Sequence, residues 1–166
     1  MTVLFCAFVE ARPKKGQAEM NAENTVHTRK TKWKKVSPYR RRKFTKALSR
    51  LFGDTNLLQK KLAVELEVTD ALISYYLNGT RAIPPDHLFA MCIALHLDTH
   101  TQRQLFGILD WPLPDDRGRG TEREVIIRRY MDTCENDTSV TVRRCNKELR
   151  KKNMTPLTDK RGKRNG

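Results

Sequence analysis

Between Gln59 and Pro85 the chain reads QKKLAVELEVTDALISYYLNGTRAIPP, two stretches of helical periodicity with almost nothing between them. Leu58, Leu62, Ala63 and Leu66 share one face and predict a helix over about 57–66. Thr69 is a good N-cap for a second helix over Asp70–Leu77, and the Asn, Gly and Pro of NGTRAIPP end it. Two short amphipathic helices joined so tightly cannot share an axis. They must lie at an angle, and such a pair serves to present its second helix.

The surrounding sequence supplies three more helices. Ser37 and Pro38 suit the cap and first position of a helix carrying Phe44, Leu48, Leu51 and Phe52 inward, with Gly53 as its stop. PDHLFAMCIALHL predicts a helix burying Leu88, Met91, Cys92 and Leu95, and HTQRQLFGILDW another, closed by Trp111-Pro112. Five short helices over 37–112 make one all-α domain. PLPDDRGRG, ending at 120, is a linker by composition. Beyond it, Thr121 and Glu124 form a capping box ahead of a helix bearing Val125, Ile126, Arg129, Tyr130 and Cys134. A second annex helix places Val142, Cys145 and Leu149 inward. Two helices alone bury little, so this annex, 121–157, is expected to dock on the domain or on a second copy, or to hold another protein.

Charge separates body from ends. The 166 residues hold 33 Lys and Arg against 19 Asp and Glu, a net +14 that favours a polyanionic partner. Residues 1–50 hold 14 basic and 3 acidic side chains, 51–100 hold 3 and 6, 101–150 hold 10 and 9, and 151–166 hold 6 and 1. The basic excess therefore sits mainly in two arms. Residues 1–36 lack a sustained period and read as a disordered basic arm, and 158–166 as a disordered basic tail. Cys6, Cys92, Cys134 and Cys145 form no close pair, which argues against a disulfide framework and fits a cytoplasmic location. No apolar run reaches membrane-spanning length, and VLFCAFV lacks the flanks of a signal peptide.

With the helices placed, the quoted stretch resembles the phage-repressor-like (Xre, Cro/C1-type) helix-turn-helix family. The matching residues are Gln59, Leu62-Ala63, Leu66, Val68-Thr69, Ile73-Ser74, Gly79 and Pro84 or Pro85, within roughly residues 42–97. In that pattern Ala63 is small because the helices cross there, Val68 and Ile73 pin the second helix, and Gly79 leaves it with positive φ. The resemblance implies a non-enzymatic transcriptional regulator whose second helix enters the major groove of double-stranded DNA, usually as a homodimer on two half-sites. Carried over, Asp70, Ala71 and Tyr75 are the base readers, with Leu72 and Ser74 at the margins, Thr69 as cap, and Gln59, Lys60 and Arg81 on phosphates. Arg40, Arg41, Arg42 and Lys43 add phosphate contacts. The departures concern chemistry. The family offers Gln, Arg, Asn, Ser or Lys where this chain has Asp, Ala and Tyr, and Glu67 stands where a glycine is common. Asp70 repels phosphate yet can accept from a cytosine amino group, and Ala71 and Leu72 can meet thymine methyls. The annex bears a looser likeness to C-terminal extensions of helix-turn-helix proteins on Gram-positive mobile elements.

Other functions have less to stand on. There is no P-loop, G-x-S-x-G or H-E-x-x-H, and no histidine near a nucleophile, so neither catalysis nor a cofactor is expected. Cys92, His96 and His100 have ligand spacing for a continuous helix, but Leu97-Asp98-Thr99 breaks it, so no metal is expected either. Two rivals keep the fold and change its use. One is a protein–protein adaptor docking through Asp70, Leu72 and Tyr75. The other is an antitoxin-type regulator whose annex holds a partner.

Overall fold

The structure, a computed structural model, describes residues 33, 35–52, 56–115, 118 and 120–159. Among the described residues there are seven helices and no strand: α1 Pro38–Phe52, α2 Asn56–Glu65, α3 Asp70–Leu77, α4 Pro85–Ala94, α5 Thr99–Leu109, α6 Glu122–Thr133 and α7 Val142–Lys151. The fold is all-α, and no described helix is long and apolar enough to cross a membrane.

Local chemistry sets most boundaries. The Ser37 hydroxyl accepts from the Arg40 amide ahead of Pro38. Thr69 caps α3, Asp98 caps α5, and Thr121 with Glu124 makes a reciprocal capping box on α6. Four helices end alike without glycine. Glu67 (φ 55°), His96 (φ 50°), Asp110 (φ 58°) and Asn153 (φ 57°) are each left-handed. At each, the next amide reaches back to the carbonyl of Ala63, Cys92, Phe106 or Leu149. These are Schellman closures, and the hydrogen bonds they add to the last turn offset a left-handed cost of about 1 kcal/mol per residue. Gly79 is different. At φ 68° a Cβ there would also meet the Thr45 hydroxyl at 2.8 Å, so only glycine fits.

One continuous core joins domain and annex. Phe44, Leu48, Leu62, Leu66, Ile73 and Leu88 bury together with Ile127, Met131, Cys145 and Leu149. α6 and α7 pack on α4 of the same chain, so of the docking modes open to the annex, this is the one the structure shows. Gln102, fully buried, binds the halves further by donating to the Leu97 and Met131 carbonyls, each at 2.7 Å. Between α6 and α7, Arg129 and the Tyr130 hydroxyl both donate to Glu148, at 2.5 and 2.9 Å.

Several sequence expectations are corrected. Order extends outward past 37: Trp33, 8% exposed, packs edge-on against Phe44 and Trp111 with ring centroids 6.1 Å apart, and Val36 is buried. A tryptophan among lysines has no periodicity to flag it, and its partner lies 78 residues away in the chain. At the other end Leu157 and Thr158 are buried, so the basic tail begins later than 158. The 113–120 segment is not wholly a linker, since Leu113 is buried. Leu51 and Val125 face solvent, Leu95 is half-buried, and Ile127 takes the inward place on α6. The Gly53 stop and the disorder expected for the rest of the two arms lie outside the described residues.

Two measurements check this packing. Ala63 is 1% exposed where α2 meets α3, so Ala63→Leu should destabilise by about 1–3 kcal/mol in urea unfolding through overpacking. Tyr130 is pushed up to about 12 by burial and then by its hydrogen bond to Glu148. A raised folded value means stability that is full below pH 10, the phenol's ordinary value, and is lost as pH rises toward 12. The stability gap between parent and Tyr130→Phe should therefore narrow from pH 8 to pH 11, as read by unfolding at both.

Candidate nucleic-acid interface

The inner face of α3 is tied down on every side. Ile73, Tyr76 and Leu77 are buried. The Tyr76 hydroxyl and His87 Nδ1 of α4 lie 3.0 Å apart in a hydrogen bond, and the Ser49 hydroxyl of α1 donates to the Leu77 carbonyl at 3.1 Å. Because side chains repeat every 3.6 residues, anchoring 73, 76 and 77 turns Ala71 and Tyr75 outward, while Asp70, near the angular position of Leu77, stands clear because it opens the helix. All three are exposed, Tyr75 at 47%, while Leu72 and Ser74 are half-buried at the margins.

Each flanking residue has a definite place. The Thr69 hydroxyl accepts from the Leu72 amide at 3.3 Å, so its role is the cap. Asp70 follows it in the first turn, where a carboxylate meets the positive end of the helix dipole. The Ser74 hydroxyl is engaged by the Asn78 amide. Arg81 is exposed, and its backbone amide donates to the Tyr75 carbonyl, folding the NGTR turn back against the end of α3. A concavity of about 460 Å³ opens beside this face, lined by Glu67, Thr69, Leu72, Tyr75, Arg81 and, from the far end of the chain, Asp159.

Other expected contributors separate from that group. Gln59 is half-buried and is the fourth residue of α2, since the helix starts at Asn56. Lys60 lines a different cleft of about 520 Å³, with Val64, Leu95 and Val140. Arg41 does not offer its charge outward. Its guanidinium donates to the Val36 and Trp33 carbonyls at 2.8 and 2.9 Å and lies over the Trp33 ring, 5.7 Å from its centroid. The reason is Trp33 itself, which brings two carbonyls within reach that a disordered arm would not hold there. Arg40 pairs with Asp110 across 3.2 Å at the surface, an interaction weak enough in water to yield to a phosphate. Arg42 and Lys43 are exposed on α1.

The spaced Cys92, His96 and His100 do not form a site. The Cys92 thiol is wholly buried and burial pushes it well up, keeping it protonated. His96 Nδ1 donates to the Cys134 carbonyl at 2.6 Å, and His100 bonds to Gln104. Among the described residues no group of three His, Cys, Asp or Glu side chains is placed to hold a metal. Sequence reasoning missed Asp159 and His87 beside α3, because nothing local announces a contact made across the chain.

No family model, curated protein or solved structure matches this chain.

The two neighbouring arginines of α1 should behave oppositely. Arg41→Ala should cost about 1–3 kcal/mol in urea unfolding, through two lost charged hydrogen bonds and the ring contact. Arg42→Ala, on the open face, should stay within about 0.5 kcal/mol.

Proposed function

We propose that the chain is a DNA-binding regulator in which α1–α5 form a repressor-like helix-turn-helix domain and α6–α7 a docked annex. The observation that carries this is α3, capped by Thr69, anchored through Ile73, Tyr76 and Leu77, and presenting Asp70, Ala71 and Tyr75 to solvent. A short helix held this way can lower its N-terminal half into a major groove while flanking groups touch the backbone. Arg81 and, from α1, the exposed Arg42 and Lys43 supply phosphate contacts, with Gln59 as a neutral donor. Base selection is modest. Asp70 accepts from a cytosine amino group, Ala71 meets a thymine methyl, and Tyr75 stacks or donates. A homodimer on two half-sites belongs to the same reading. Its joining surface would not be the inner face of the annex, since Ile127, Met131 and Leu149 are already buried in this chain's own core.

A second reading has one observation in its favour. Two carboxylates, Glu67 and Asp159, line the concavity with the apolar Leu72 and Tyr75, against the one arginine, Arg81. An acidic rim on an apolar hollow suits a basic peptide better than a phosphate, which is the adaptor use of the same fold.

Titration of mixed duplexes at two salt concentrations separates them. On the DNA reading the affinity falls steeply with salt. Tyr75→Ala weakens binding by on the order of 1 kcal/mol, and Asp70→Asn tightens it by removing a repelled charge. Both variants binding duplex like the parent would make the face a protein-docking surface.

A further inference from the structure

α1 holds the positive charge of the folded domain. It has six basic side chains and no acidic one, whereas Asn56–Leu109 has four basic and five acidic. Two of the six are committed, Arg41 to the Trp33 and Val36 carbonyls and Arg40 to Asp110 across 3.2 Å. The other four, Arg42, Lys43, Lys46 and Arg50, are exposed, and among the described residues none of them is in an ion pair. At 3.6 residues per turn they fall within about 100° of the helix surface, opposite the buried Phe44, Leu48 and Phe52. Tyr39, 73% exposed, stands on the same face at its N-terminal end.

That arrangement works against α1 itself. Arg42–Lys46 and Lys46–Arg50 are like-charged pairs four residues apart and Lys43–Lys46 a pair three apart, and each costs helix stability. The first turn sets arginines, and no carboxylate, at the positive end of the helix dipole. A face kept only for solubility mixes signs, as the annex does with Arg128–Asp132 and Arg129–Glu148. A protein-docking face needs an apolar centre, and between Arg42 and Arg50 this one has no large apolar side chain. A polyanion satisfies the four charges and relieves their repulsion at once.

The dimensions and the place both suit duplex backbone. From Arg42 to Arg50 the helix rises about 12 Å, the axial length over which one strand carries roughly three or four phosphates. Next round the helix from Arg42 and Lys46 are Thr45 and Ser49, where α1 meets α3 and the turn after it. Ser49 donates to the Leu77 carbonyl at 3.1 Å, and a Cβ on Gly79 would meet the Thr45 hydroxyl. The cationic face therefore borders the turn that carries Arg81.

We infer that the outward face of α1 is a phosphate track, on which Arg42, Lys43, Lys46 and Arg50 hold the backbone of duplex DNA beside α3 and supply affinity without reading bases. This rests on the DNA reading above for its partner, though not on α3 entering a groove. α1 then gives up some helix stability in the free protein and recovers it on the polyanion.

Three full-length chains titrated on mixed duplex across a salt series make the test. They are the parent, an α1 variant (Arg42→Gln, Lys43→Gln, Lys46→Gln, Arg50→Gln), and a control that loses the same charge at other exposed positions (Arg103→Gln, Arg143→Gln, Lys147→Gln, Lys151→Gln). Four phosphate contacts are worth about 3 to 4 units of the log K against log salt slope, so the α1 variant should flatten the parent's slope by that much. The control should stay within about one unit of the parent. Equal flattening by both would show that net charge acts without being placed, and would overturn the proposal. So would an α1 variant that keeps the parent's slope. Tyr75→Ala, titrated alongside, tells the two readings apart. Weaker binding by Tyr75→Ala with the slope kept in the α1 variant leaves the groove reading standing and sinks the track; the reverse supports the track without the groove. A parent that ignores duplex at every salt would overturn both together. Should the α1 variant fail to fold by circular dichroism, Lys46→Gln with Arg50→Gln replaces it. A flattening of about 2 units is then expected, and retention of the parent's slope would overturn the proposal.

Discussion

Everything that positions the outward face of α3 depends on the joint between it and α2. Leu66 is fully buried there, and Glu67 takes a left-handed conformation so that the Val68 amide can return to the Ala63 carbonyl at 2.9 Å. That closure ends α2 within one residue, and Thr69 starts α3 at once by accepting from its first turn. With no slack in the connection, burial of Ile73, Tyr76 and Leu77 sets both the direction and the roll of α3. A single left-handed residue costs on the order of 1 kcal/mol, small beside the several buried side chains it brings into register. The molecule uses the same device at His96, Asp110 and Asn153, so non-glycine left-handed ends are its ordinary way of turning sharply.

The electrostatics of the presented face derive from this geometry. The dipole of α3 and its cap favour a carboxylate in the first turn, and Asp70 occupies that place. The same carboxylate then points toward whatever α3 meets. On the proposed DNA-binding function, local helix stability and phosphate affinity pull against each other at one residue, and cations have to come from elsewhere. Arg81 supplies one from the turn that folds back on Tyr75. Arg41 supplies none, because it is committed to Trp33 and Val36. The count of basic residues on α1 overstated what that helix can offer outward, because one of those charges is a bracket for the core.

The annex changes what the domain can be. Packed against α4 through Ile127, Met131 and Leu149, it forms one core with the first five helices. Its tie to α4, through Arg123 and Asp86, and its hold on Leu157 and Thr158, through Asn146, are both polar contacts between buried or half-buried groups. Broken singly, such contacts leave unsatisfied charge or amide behind, which is why they hold the path of a segment so firmly.

The sequence by itself determined the helices and their caps. Ser37, Thr69 and the Thr121–Glu124 box start helices where their side chains say so, and apolar spacing placed α3 within its observed bounds and Tyr75 outward with Tyr76 inward. These are decided within a turn or two of chain, by periodicity and by backbone groups that need partners, and such rules are legible locally. Tertiary structure alone decided that Trp33 packs on Trp111, that Arg41 turns inward, that Lys60 lies in a separate cleft, and that Asp159 comes to rest beside Tyr75. Each of those depends on surfaces far apart in the chain meeting at a particular angle. Burial energy is non-directional and records no address in the sequence, so only the assembled core could say which charge faces out and where Asp159 comes to rest.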